Sequence, residues 1–186
     1  DSKIHGNYLA IMDSAIEVSE RYELDHDALI FMLAPELSDW GFILQSNALV
    51  ELALNTALDQ CFLSVQGKAR ETLFKALKIE NMPMTKKEEI ASANSIIPKG
   101  NASELIKRLG EVRNYYAHSF KASSLTIPEV LDHLQQRENT KKGPPEDKWG
   151  LFLKAFKIHL PIDELRQDPI KFRAPMLKEI FLQITV

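Results

Sequence analysis

The segment 42–63 would carry apolar side chains on most of the circumference of a helix. A helix of that kind is stable only when other elements cover it from several sides. The rest of the chain supplies elements of the right sort. Tyr8, Ile11, Met12, Ala15 and Ile16 recur at helical spacing and predict a helix over 7–20. Asp25 is placed to cap a short helix that must stop before Pro35. A further helix is expected over 69–79, with Leu73, Phe74 and Leu77 turned inward. Thr85/Glu88 and Asn101/Glu104 have the spacing of capping boxes, in which side chain and backbone satisfy each other's free N–H groups. The second box would open a helix over 102–120. Pro128 suits the first turn of another running to Arg137. No alternating strand pattern exceeds four residues. The expected fold is all-α.

One stretch interrupts the helical pattern. Residues 139–148 contain Gly143, Pro144 and Pro145 among charged side chains, which predicts a solvent loop. Beyond it, Trp149, Leu151, Phe152, Ala155 and Phe156 restore a helical stripe, and 174–185 gives another. The expected organisation is a helical domain over 1–138, the loop 139–148, and a helical extension over 149–186 docked on the main bundle or on another chain.

Composition excludes several classes. A single cysteine, Cys61, rules out an internal disulfide framework, and its apolar neighbours suggest a buried thiol. No run approaches the roughly 18 apolar residues of a membrane span, and no signal-peptide pattern is visible, so a cytoplasmic protein is expected. The net charge of −3 argues against a general nucleic-acid coat. The charge is uneven, however. Residues 1–64 hold 2 basic and 11 acidic residues, whereas 65–121 hold 11 basic and 6 acidic. A local basic region suits an anionic ligand such as RNA, or its lysines simply solvate a helix.

Inside that basic region lies Arg113-Asn114-Tyr115-Tyr116-Ala117-His118. Arginine offers a planar fork of donors to phosphate oxygens. Histidine exchanges a proton near neutrality. On a helix Asn114 and His118 would share one face, four residues apart, and the Arg113 side chain could bend toward them. These polar groups interrupt the apolar positions Leu105, Leu109, Val112, Tyr116 and Phe120.

This Arg-x4-His pattern resembles the signature of the HEPN superfamily (higher eukaryotes and prokaryotes nucleotide-binding domains). The run from Arg113 to Ser119, with the alanine-rich helix 47–58 upstream, is most similar to the mannitol operon repressor family within it. The resemblance spans roughly 8–121 and implies a HEPN-type helical bundle. It further implies metal-independent RNA cleavage by a homodimer, with no cofactor, as in toxin or defence proteins. His118 would then be the general acid/base, Arg113 the phosphate clamp, and Asn114 a partner of the imidazole or of the phosphate. Tyr115, Ser119, Lys107 and Arg108 would contact RNA; either Tyr115 or Tyr116 could stack on a base, although helix spacing turns Tyr116 toward the core.

The same resemblance supports a second reading. The mannitol-repressor relatives act as regulators, which implies a non-catalytic protein working through a partner such as an antitoxin or a transcription regulator. HEPN toxins paired with nucleotidyltransferases carry a modifiable tyrosine two residues after the histidine. Here Phe120 stands in that place, which puts such a partner in doubt. Other sites have little support. The remaining histidines lack metal-ligand spacing, and no glycine-rich phosphate loop exists. Glu51 and Asp59, polar positions on the 42–63 helix, either orient Arg113 or lie at the surface.

Overall fold

A computed structural model describes residues 2–61, 78–94, 96–97 and 100–185, whose regular elements are all helices, with no strand among them. Nine helices are described: α1 Ser2–Tyr22, α2 His26–Phe31, α3 Asp39–Cys61, α4 Met84–Ala93, α5 Asn101–Ala117, α6 Ile127–Asn139, α7 Lys148–Ala155, α8 Ile162–Gln167 and α9 Pro169–Thr185. The helix expected over 69–79 falls outside the described residues except at its end, where Lys78 is left-handed (φ 49°) and Ile79–Asn81 form a 3-10 turn. The side chain of Cys61 also lies outside them.

The helix read as apolar on all sides is the central one. α3 packs against α4, α5 and α9, burying Phe42, Ile43, Leu49, Val50, Leu54 and Leu58. α1 runs along α9, with Tyr22 Oη donating to the Ile184 carbonyl at 2.7 Å and Arg21 Nη1 to the same oxygen at 3.1 Å. The C-terminal helices are not a peripheral layer. The ring of Phe152 on α7 lies 4.7 Å from that of Phe156, the C-cap of α7, and 5.7 Å from that of Phe172 on α9, and all three belong to the same core as α3 and α5. No break in this core coincides with the loop expected at 139–148. α8, which the sequence pattern did not reveal, buries Leu165. No helix among the described residues is long and apolar enough to cross a membrane.

Helix starts depart from expectation in an instructive way. Neither expected capping box forms. α4 begins directly after Pro83, and the Glu88 carboxylate accepts from the hydroxyls of Ser92 and Ser103 instead. α5 begins after Gly100, whose φ of 122° favours glycine. Asn101 Nδ2 donates to Glu179 Oε1 at 2.7 Å, and Glu104 Oε1 accepts from Arg108 Nε at 2.6 Å. The capping box that does form is at α6, where Glu129 Oε2 accepts from Thr126 N at 2.7 Å and Thr126 Oγ1 accepts from Glu129 N at 3.4 Å. A capping side chain is available only where no stronger partner claims it, and both failed boxes lost a side chain to such a partner.

Candidate functional site

α5 turns Leu105, Ile106, Leu109, Val112 and Tyr116 into the core, which leaves Arg113, Asn114 and Ala117 on the outer side. The helix ends at Ala117, three residues earlier than the periodicity suggests. His118 is its C-cap, with its backbone N–H donating to the Asn114 carbonyl at 3.1 Å. A 3-10 segment, Phe120–Ser124, follows. Tyr116 faces the core as expected and donates its hydroxyl to the Leu125 carbonyl at 3.0 Å. Burial, reinforced by the charges of Asp39 and Glu129, pushes that hydroxyl far above its ordinary range.

Asn114, Tyr115, His118 and Ser119 open onto one cleft of about 360 Å³ between the end of α5 and α6. His118 is exposed, and its imidazole makes no hydrogen bond or ion pair with the described residues. Arg113 is exposed and donates to Asn114 Oδ1 at 3.1 Å, but it does not line the cleft. The opposite wall comes from α6 and beyond: Leu134, Arg137, Glu138, Lys141 and Lys148, with Glu111 of α5 at the base. Sequence reasoning missed Arg137 and Lys141. The available signal was the i, i+4 pair His133/Arg137 on one helical face.

Two expectations need correction. Tyr115 is not an open platform for a base, because its ring already stacks on His133 (centroids 5.8 Å apart, planes 13° apart) and carries the Arg137 guanidinium 4.8 Å from its centroid. Arg108 is not free for RNA. It is 2% exposed and meets Glu104 at 2.5 Å, Glu111 at 2.9 Å and Glu146 at 3.0 Å. Lys107 is exposed, with its nearest carboxylate, Glu146, 4.0 Å away. The local basic excess is thus partly internal, since Lys87 is also buried against Glu51 at 2.6 Å. That pair further shows Glu51 orienting Lys87 rather than Arg113.

Arg108 belongs to an ion cluster that ties α5 to the 140–147 loop beneath the cleft. Lys148 lies 3.1 Å from Glu111 and also meets Glu146. Hydrogen bonds from Lys148 and then Arg108 hold the Glu146 carboxyl down at about 2, against an ordinary value of 4.5. The folded state therefore binds fewer protons than the unfolded state between these values, so stability is full above about pH 4.5 and falls as pH drops toward 2. Solvent screening at this half-exposed group moderates the effect. Urea midpoints at pH 5 and pH 3 should show the loss, and Glu146→Gln should flatten it; an unaltered acid limb in the variant would refute the assignment.

Among the described residues, no group of three or more His, Cys, Asp or Glu side chains could hold a metal ion. No family model, curated protein or solved structure matches this chain. The chemistry of the cleft rests on its own residues. It offers one unencumbered imidazole, an amide, a hydroxyl and an arginine, a set able to bind an anion and exchange a proton.

Proposed function

We propose that this chain is an RNA-directed protein of HEPN type, and that a homodimer of it is a metal-independent endoribonuclease of the toxin or defence kind. The observation that carries this reading is the opening of His118, Asn114 and Ser119 onto one cleft, with the imidazole exposed and uncommitted. RNA cleavage needs a base for the 2′-hydroxyl, donors for the anionic phosphorus and an acid for the leaving 5′-oxygen. One histidine serves poorly as base and acid in the same step. A two-fold axis beside the end of α5 would bring two copies of His118 and Arg113 into one site.

A second reading has its own support. Arg113 bonds to its neighbour Asn114 and stands outside the cleft that His118 lines, so within one chain the motif does not converge on a point. That arrangement suits a non-catalytic regulator whose polar helix end meets a protein partner, an antitoxin or a transcription regulator. EDTA-treated protein incubated with single-stranded RNAs of varied sequence separates the readings. Cleavage by a dimer, with mass verified by light scattering, is expected for the nuclease. Inert protein, or a monomer at micromolar concentration, would favour the regulator.

A further inference from the structure

We infer that Arg137, near the end of α6, is the residue that grips a phosphate of the ligand in the His118 cleft. Three cations line this cleft, and two are already neutralised. Lys141 Nζ lies 2.6 Å from Glu138 Oε2. Lys148 sits against Glu111 at 3.1 Å, Glu138 at 3.7 Å and Glu146. These pairings also account for both carboxylates of the cleft, Glu111 and Glu138. Arg137 has no carboxylate within 4.0 Å and no side-chain hydrogen bond among the described residues; its guanidinium rests on the Tyr115 ring at 4.8 Å. Among the other described arginines, Arg108 and Arg173 are committed to buried ion pairs, Arg166 to Asp132 at 2.7 Å, Arg21 to the Ile184 carbonyl and Arg113 to Asn114 outside the cleft.

A guanidinium stacked on an aromatic face keeps its in-plane N–H donors free while losing much of its side-chain freedom. Tyr115 is itself held by the parallel His133 ring, so the platform is built from both helices that wall the cleft. Ser119 and Asn114 add a hydroxyl and an amide on the α5 side. Phosphate, with several oxygens to satisfy, matches a fork plus two neutral donors better than a carboxylate does. The assignment gives Tyr115 a positioning role and moves the phosphate contact within the cleft from Arg113 to Arg137. It rests on the RNA reading only for the source of the phosphate.

The test is fluorescence anisotropy of a labelled single-stranded RNA octamer. Arg137→Ala should weaken binding about tenfold or more, the scale of a lost charged hydrogen-bond pair. The slope of log affinity against log salt should fall by about 0.7, the value for one contact to a single strand. Arg137→Lys should recover part of the affinity, Tyr115→Phe nearly all and Tyr115→Ala little. Lys154→Ala, an exposed charge outside the cleft, controls for net charge and should change nothing. Arg137 is exposed, so circular dichroism of its variants should match wild type. In parallel, inorganic phosphate is titrated while arginine Nε–H NMR signals are followed. A shift of the signal that Arg137→Ala removes, without RNA binding, would keep the phosphate site and discard the RNA reading. Unchanged RNA affinity and salt slope in Arg137→Ala, or wild-type protein that responds to neither probe, would overturn the inference.

Discussion

Asp39→Ala should cost about 3–5 kcal/mol of folding stability, the range for breaking a buried ion pair by removing one partner. Asp39 opens α3 and is 7% exposed, and Arg173 on α9 is 3% exposed. One carboxylate oxygen accepts from Arg173 Nε at 2.8 Å and meets Nη2 at 2.6 Å. The other accepts from the backbone N–H of Ile127 at 2.7 Å, an N–H that the first turn of α6 cannot satisfy internally. Three helices far apart in sequence therefore meet on one side chain. The alanine variant leaves a buried guanidinium with only the Ala34 carbonyl, 3.1 Å away, and orphans the Ile127 N–H. Urea denaturation reads the loss directly, and for a chain of this size each kcal/mol lowers Tm by about 2–4 °C. Asp39→Ala with Arg173→Met should lose less than Asp39→Ala alone, because no unpaired charge remains buried. A single-variant loss below about 1 kcal/mol would show that water already reaches the pair.

His118→Ala should reduce RNA cleavage by about 10²–10⁴-fold, the usual contribution of a positioned acid or base. The fold should be untouched, since the side chain is exposed and substitutions at such positions stay within about 0.5 kcal/mol. His133, the histidine that packs beside the motif, cannot take over on this geometry. Its ring is stacked on Tyr115 and does not line the cleft, and His159 does not line it either. Loss of cleavage with unchanged Tm and unchanged dimer mass is the expected pattern. Undiminished cleavage by the variant would remove His118 from the chemistry. A variant that loses only dimer stability, from a wild type without activity, would favour the regulatory reading.

The helical class was legible because helix formation is written in local periodicity. Each amphipathic stripe reports its own buried face, and the near-uniform apolarity of 42–63 reports a central position. Tyr116 inward and Asn114 outward follow from the same arithmetic on α5. The end of α5 was less legible. Apolar spacing continues through Phe120, while the backbone leaves the helix at His118 to enter a 3-10 segment.

What the sequence alone determined, then, is the all-helical class and, for the longer helices such as α1, α3, α5 and α6, their position in the chain and the face each one buries, since both depend on residues a few positions apart. α8, only six residues long, carried too short a stripe to be read. Tertiary structure decided which polar groups are spent on holding those helices together and which remain available. Arg108 reads as a surface cation until the 140–147 loop brings Glu146 to within 3.0 Å, adding a third carboxylate to the two on its own helix. Asn101 reads as a cap until Glu179, 78 residues away, takes its amide. Arg137 reads as one more charge at a helix end until Tyr115 comes beneath it and every neighbouring acid proves occupied. Hydrogen bonds and ion pairs are short-ranged and saturable, so their allocation depends on which groups the packed helices bring within reach.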